Sequence, residues 1–257
     1  MNTVLLEVQD HIATITLNRP GALNAFNTEM RREMAELWRE VEQNDDIRVG
    51  IVTGAGKAFC AGMDIKERAE QIREGTQREA NVAPEGYTSV FYSARECSKP
   101  LIAAVNGAAA GGGLGLMLAC DFAIAAESAV FILSLAARGA FNPTILGLLA
   151  TKVPMGWASW MAFSATRVDA PTAQRIGLIN EMLPSDGLLD RAYEMAERVL
   201  GTSYISVMAS KEKLRQISDV MQQALVADGP RAQAFNDQSE SAEGFTAFAE
   251  KRVARFD

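Results

Sequence analysis

Apolar and polar residues alternate through His11 to Asn18 (HIATITLN), the period of a half-buried strand. Arg19 to Phe26 follows with Pro20 and Gly21 and predicts a loop. Asn27 or Thr28 is placed to cap a helix, because Met30, Met34, Leu37, Trp38 and Val41 then fall on one face. Val49 to Thr53 predicts a buried strand, ended by Gly54-Ala55-Gly56. The charged stretch Glu67 to Glu96, with Pro84 and Gly86, predicts an irregular, mobile segment lying over a site. Leu101 to Val105 is a second buried strand. It leads through a glycine-rich turn into an apolar helix from about Gly112 to Cys120, and then into a strand from Phe122 to Ala125. Asp169-Ala170-Pro171 opens a helix that closes at Gly177, with Pro early and Gly past the end. Beyond about Pro184 strand patterns stop and helices are expected to the C-terminus. The chain therefore alternates strands with helices and then turns helical, with no linker-like segment dividing it.

The 257 residues fit one large domain, or one with a small appendage, and 48% hydrophobic with 22% charged residues is ordinary globular composition. A net charge of −7 argues against nucleic acid or an anionic membrane as general partners. The three cysteines, Cys60, Cys97 and Cys120, have no CxxC spacing and read as reduced thiols rather than a disulfide framework or a zinc site. Met1 to Asp10 lacks the pattern of a signal peptide, and no apolar run reaches the roughly 18 residues of a membrane span. A cytoplasmic protein is the expectation. The single histidine, His11, reads as an exposed strand-end residue, which leaves no material for a Ser-His-Asp or Cys-His system or for a His-based metal site. The expected chemistry uses carboxylates, hydroxyls, backbone amides or water.

The segment from Val105 to Leu116 (VNGAAAGGGLGL) carries the most information. Glycines let a ligand approach the backbone, and the amides that open a helix lack intrahelical partners. A helix starting at Gly112 or Gly113 aims the positive end of its dipole at an acceptor outside it. A dinucleotide phosphate turn uses the same logic, but the spacing departs from GxGxxG, and Glu127 is the nearest substitute for the acidic residue that turn needs. Glycines that only let a helix pack tightly on a strand remain the alternative.

Five segments, in order, resemble those of the crotonase (enoyl-CoA hydratase/isomerase) family. They are Asn18-Arg-Pro-Gly-Ala-Leu-Asn-Ala25, Lys57-Ala-Phe-Cys-Ala-Gly-Met-Asp-Ile-Lys-Glu67, Val105 to Asp121, Thr172-Ala-Gln-Arg-Ile-Gly-Leu-Ile-Asn180 and Phe248-Ala-Glu-Lys-Arg252. The resemblance implies an α/β fold with a crotonase-like ββα spiral core (residues 1–195) and a C-terminal helical oligomerisation region (residues 196–257). It also implies a homotrimer or a hexamer made as a dimer of trimers. The ligand it implies is an acyl-CoA, with no cofactor beyond the CoA moiety of the substrate. The thioester oxygen would lie between the amides of Met63 and Gly112, where fixed donors stabilise a developing enolate or oxyanion. CoA contacts carry over to Ala22, Leu23, Ala61, Asp64 and Ile65. Lys251 matches a lysine that often reaches a neighbouring subunit's CoA, although a solvated helix charge explains it equally well. Asp121 reads as a structural hydrogen-bonding residue.

The resemblance breaks where hydratases of the family carry two glutamates that hold and move the protons of a water. Those positions fall on Gly115 and Leu135, neither of which transfers a proton. Substitute groups are sought in Glu67, Glu70, Glu85 and Tyr87, or in the strip Ser134 to Thr144. Ser134 and Arg138 are the polar groups nearest the vacated second position, and both read as surface or structural residues rather than catalysts. Three functions follow: an active CoA-thioester enzyme with relocated acid/base groups that performs hydration, isomerisation, decarboxylation or hydrolysis, a catalytically silent acyl-CoA-binding protein, or an assembly subunit without chemistry.

Overall fold

The structure is a computed structural model and describes residues 2–75, 90–226 and 239–256. A six-stranded sheet holds β1 (Val4–Gln9), β2 (Ile12–Leu17), β3 (Val49–Gly54), β5 (Leu101–Val105), β7 (Phe122–Ala126) and β10 (Glu181–Leu183), in that spatial order. Only β1 and β2 pair antiparallel; every other neighbour is parallel. A second sheet of three-residue strands runs β4 (Ala58–Cys60), β6 (Ala108–Ala110), β8 (Val130–Ile132) and β9 (Arg167–Asp169). Strands β3, β5 and β7 each pass directly into a strand of this small sheet. A helix follows each pair: α2 (Ile65–Glu74), α4 (Gly112–Ala119) and α5 (Pro143–Lys152). The repeat is two strands and a helix, wound as a spiral.

The apolar runs seen in the sequence exist because the large sheet is covered on both faces. Ile51, Ile102, Ala104 and Ile124 face Leu188, Ala192 and Ala196 of α8 (Leu188–Leu200). Val52, Ala103, Val105 and Ala125 face the larger core. That core takes Met30, Met34, Leu37, Trp38 and Val41 from α1 (Thr28–Gln43). The Asn27 side chain caps α1 by accepting from the Met30 amide at 2.9 Å, as its position in the sequence suggests.

Two local differences from the sequence reading have simple causes. Strand β1 is exposed at most of its residues, so it shows too little alternation to be read. It joins β2 through Asp10 and His11, both at positive φ, the geometry of a two-residue hairpin turn. His11 is exposed there. The stretch from Glu67 to Glu96 is helical at both ends, in α2 and α3 (Val90–Glu96). Arg68 is the one buried residue of α2, so no apolar period marks that helix. Residues 76–89, including Glu85 and Tyr87, lie outside the described residues.

Helices α6 (Met155–Ser164) and α7 (Ala170–Arg175) lead to β10 and α8, which runs across residue 195. Beyond it, α9 (Tyr204–Val226) and α10 (Ser239–Ala249) fold back on the core. Asp121 receives the Leu101 amide at 2.7 Å and the Lys211 ammonium of α9 at 2.8 Å, while Lys211 also donates to the Lys99 carbonyl at 2.6 Å. Arg95 of α3 pairs with Asp219 of α9 at 2.5 Å. Helix α10 packs on α2 and on the 3-10 turn Ala136–Arg138. No helix of the described residues is long and apolar enough to cross a membrane.

Asp121→Ala leaves the largely buried Lys211 ammonium without its carboxylate and the Leu101 amide without an acceptor. A loss of about 2 kcal/mol is expected from a urea titration. Lys211→Met, which removes the charge along with the pair, is expected to cost clearly less.

Candidate functional site

The first two loops are joined almost continuously through their backbones. Ala61 donates to the Leu23 carbonyl at 3.0 Å, Phe26 to Gly62 at 2.7 Å, and Asp64 to Phe26 at 3.0 Å. Asn24 lies fully buried beneath them. Its amide nitrogen donates to the Ala55 and Ala58 carbonyls at 2.9 and 2.8 Å, and its oxygen accepts from the Arg19 amide at 2.9 Å. Leu23 and Asn24 take left-handed backbone angles, φ 52° and 56°, and Leu23 projects outward. Ala22 ends the short 3-10 turn Pro20–Ala22 and is half-buried.

The second loop then meets the start of α4. A Cβ on Gly62 would stand 2.6 Å from the Ala110 oxygen and 3.0 Å from the Gly112 nitrogen. One on Gly113 would overlap the Cys60 carbonyl and lie 2.7 Å from Cys60 Cβ. Only glycine allows backbones this close, and Gly62 also needs its φ of 91°. Met63 follows Gly62 directly, in a bridge to Phe26 of the first loop. Among the described residues, neither the Met63 amide nor that of Gly112 donates a hydrogen bond within the chain. Gly112 is the first residue of α4, where amides lack intrahelical acceptors and carry the positive end of the dipole. The Met63 side chain is exposed, and Gly115 is buried one turn further along α4.

The other expected site residues divide into those held by the scaffold and those beyond it. Asp64 caps α2, accepting from Lys66 and Glu67 amides at 3.2 and 3.4 Å, and pairs with Arg19 at 3.0 Å. Its carboxylate holds the two loops together. Ile65 is the first residue of α2. Glu67 receives the Thr28 amide at 2.9 Å, across the opening of α1, and Glu70 is exposed beside Arg73. Lys251 is exposed in the turn after α10 with φ 56°.

Cys60 lies at the floor of this arrangement, fully buried, donating to the Asn24 carbonyl at 3.0 Å. Burial pushes its thiol up to about 12, despite the Gly62 amide it accepts. It therefore stays protonated at neutral pH and packs as a small apolar group, not a nucleophile.

Leu135 is half-buried at the start of the 3-10 turn, next to Ser134 and Arg138. The Ser134 hydroxyl lies 3.7 Å from where a Cβ on Gly111 would stand, which puts it beside the opening of α4. Arg138 is not a surface residue: it is half-buried, donates to the Ser134 hydroxyl, and lies over the Phe248 ring of α10 at 4.3 Å. Burial lowers its pKa. Sequence reasoning saw Ser134 and Arg138 but not α10 packing on their turn; the available signal was Gly139, which lies against the Glu240–Ser241 backbone, and Gly244, which lies against the Arg138 backbone.

Gly62→Ala adds both a clash and a strained backbone, and a loss of about 2 kcal/mol or more is expected in a urea titration. Gly75→Ala, with φ 71° and nothing within 4 Å of its added Cβ, is the control. It carries the backbone cost alone and is expected to lose about 1 kcal/mol.

The enoyl-CoA hydratase/isomerase family profile matches residues 7–257. The chain is 33% identical to the (E)-benzylidenesuccinyl-CoA hydratase of Thauera aromatica, covering 98% of both chains. It is 34% identical to a short-chain-enoyl-CoA hydratase of Clostridium acetobutylicum, over 98% of this chain and 96% of that one. Its structure superposes on the crystal structure of a carnitinyl-CoA hydratase from Mycobacterium avium with a TM-score of 0.85, at 29% identity and covering 100% and 99% of the two chains. With a spiral of ββα turns and a match along nearly the whole chain, this protein belongs to the enoyl-CoA hydratase/isomerase family of the crotonase superfamily.

Proposed function

We propose that the chain is an acyl-CoA enzyme in which the Met63 and Gly112 amides bind the thioester oxygen and stabilise an enolate or oxyanion formed from it. The observation that carries this reading is the meeting of the second loop with the start of α4: the Gly112 nitrogen lies 3.0 Å from where a Cβ on Gly62 would stand, and among the described residues the Met63 and Gly112 amides have no acceptor. Two fixed donors, one of them at a helix N-terminus, stabilise charge that develops on a carbonyl oxygen without having to reorganise. In this reading Ala22, Leu23, Ala61, Asp64 and Ile65 border the CoA moiety, and no other cofactor is required. Asp64 contributes by position, since its carboxylate is already engaged with Arg19 and α2. Lys251 is exposed and free to meet the CoA of a neighbouring subunit.

The proton chemistry differs from a hydratase that uses a glutamate pair. Gly115 and Leu135 offer no carboxyl at the positions where the family resemblance puts those glutamates. The described alternative nearest the oxyanion amides in sequence, Glu67, is engaged by the Thr28 amide. This same observation favours a second reading, a catalytically silent acyl-CoA-binding protein. A panel of acyl-CoA thioesters followed by mass spectrometry separates the two, because an enzyme converts at least one of them and a silent protein only retains it.

Gly112→Pro tests the oxyanion assignment. Proline is tolerated at the first position of a helix but has no N–H to donate. The folded variant is expected to lose about 10²-fold or more in turnover, or tight thioester binding if there is no turnover. Wild-type protein is expected to hydrate a short trans-2-enoyl-CoA very poorly, since each missing acid/base group forgoes about 10²-fold or more. Fast hydration would show that another residue supplies the proton.

Assembly as a homotrimer or a dimer of trimers through the C-terminal helices is part of the same proposal. Trp160 and Phe163 on α6, and Ile205, Leu214 and Ile217 on α9, are exposed apolar side chains in numbers unusual for an isolated subunit. Light scattering at micromolar concentration is expected to give three or six times the subunit mass, and a monomer would refute it.

A further inference from the structure

Arg138 differs from four other sheltered arginines of the described residues, each of which has a carboxylate partner, and from Arg31, whose guanidinium bonds to Asn27 and Thr28 and has no unpartnered buried nitrogen. Arg95 has Asp219 and Glu96, Arg19 has Asp64, Arg191 has Glu181, and Arg215 has Glu96. Among the described residues, Arg138 has no carboxylate within ion-pair distance, and its Nε is buried with no hydrogen-bond partner. Its polar contacts are the Ser134 hydroxyl and, at 3.5 Å, the Ser134 carbonyl. The Phe248 ring covers one face of the guanidinium. Guanidinium groups do not give up their proton at neutral pH, so this is a standing positive charge, partly removed from water and uncompensated. Such an arrangement costs stability unless an anion completes it.

Its location says where that anion belongs. The Ser134 hydroxyl lies beside Gly111, the N-cap of α4, and Gly112 follows with its free amide. Because that hydroxyl oxygen already accepts from Arg138, its own proton is available to donate. Arg138 and Ser134 thus present several N–H donors and one O–H donor, a set suited to a carboxylate. Leu135, between them in sequence, offers no competing charge.

We propose that Arg138, with Ser134, binds a second carboxylate on the acyl group, and that the substrates are CoA thioesters of short dicarboxylic acids. This rests on the acyl-CoA reading above and deepens it: the thioester end lies at Met63 and Gly112, the free carboxylate at Arg138. The proximity of Ser134 to the start of α4 limits the acyl chain to a few carbons between the two ends. The anion the guanidinium lacks in the chain is brought by the substrate, so a neutral acyl group of the same length leaves the charge unpaired and binds less well.

Binding measured by calorimetry on the full chain tests this with matched pairs: malonyl- against propionyl-CoA, succinyl- against butyryl-CoA, and glutaryl- against valeryl-CoA. Wild type is expected to favour the dicarboxylic member of at least one pair by about tenfold or more, the size of one hydrogen-bonded charge contact. Arg138→Met, whose side chain still packs on Phe248, is expected to abolish that preference while binding the neutral thioester within about twofold of wild type. Its unliganded melting temperature is expected to equal or exceed that of wild type, because an unpaired charge has been removed. Ser134→Ala, which disturbs packing less, is expected to reduce the preference about threefold. Equal affinity within all three pairs, or a preference that survives in Arg138→Met, overturns the carboxylate site and leaves the acyl-CoA reading standing. Failure of folded wild type to bind any of the six thioesters overturns both.

Discussion

Everything at the proposed site depends on backbone meeting backbone without side chains between. The carbonyl of Cys60 lies against Gly113, and Gly62 lies against the Ala110 carbonyl and the Gly112 nitrogen. A single Cβ at either glycine would push α4 away from the second loop. The rest of the scaffold keeps that contact tight. Strands β4 and β6 pair directly below it, Asn24 satisfies the carbonyls of Ala55 and Ala58, and Cys60 fills the floor as a neutral thiol. Buried polar atoms here are matched within the chain, while the Met63 and Gly112 amides have no acceptor among the described residues.

The charges of the molecule follow the same division. Asp121 joins the end of α4, the start of β5 and helix α9 by taking the Leu101 amide and Lys211 together. Arg19 and Asp64 hold the two loops in register. These pairs are saturated and serve structure. Arg138 is a half-buried cation with no carboxylate partner among the described residues, and its Ser134 partner lies beside the opening of α4. Local rules are broken most often where function is served, which is the reason to read this residue as part of the site rather than of the scaffold.

Helix α10 links the two sets. It lies on α2 through Phe245, over which Arg68 stacks at 5.8 Å, and on the 3-10 turn through Phe248. The C-terminal part of the chain therefore holds α2 and the 3-10 turn together.

The sequence by itself determined most of the fold. The period of His11 to Asn18, the one-sided apolar face from Met30 to Val41, and the continuous runs at Val49 and Leu101 each identify an element that forms as read. They are legible because burial is repetitive along a strand or helix and leaves a period. The caps Asn27 and Asp169 are legible because their hydrogen bonds are local. The glycine-rich turn was visible as a place where backbone is exposed, and its order with the other segments pointed to the family. What tertiary structure decided are contacts between residues far apart in the chain. Strand β1 and helix α2 lack a clear apolar period, and the three-residue strands of the small sheet are too short to show one. Glu67 looks like a candidate acid in the sequence and Asp64 like a CoA contact, and only their distant or backbone partners reveal that both carboxylates are engaged in the scaffold. Arg138 looks like an ordinary surface charge three residues past Leu135. Its missing carboxylate, its contact with Phe248 and its place beside Gly111 exist only once α10 and the 3-10 turn have come together, because an absent partner leaves no trace in a one-dimensional pattern.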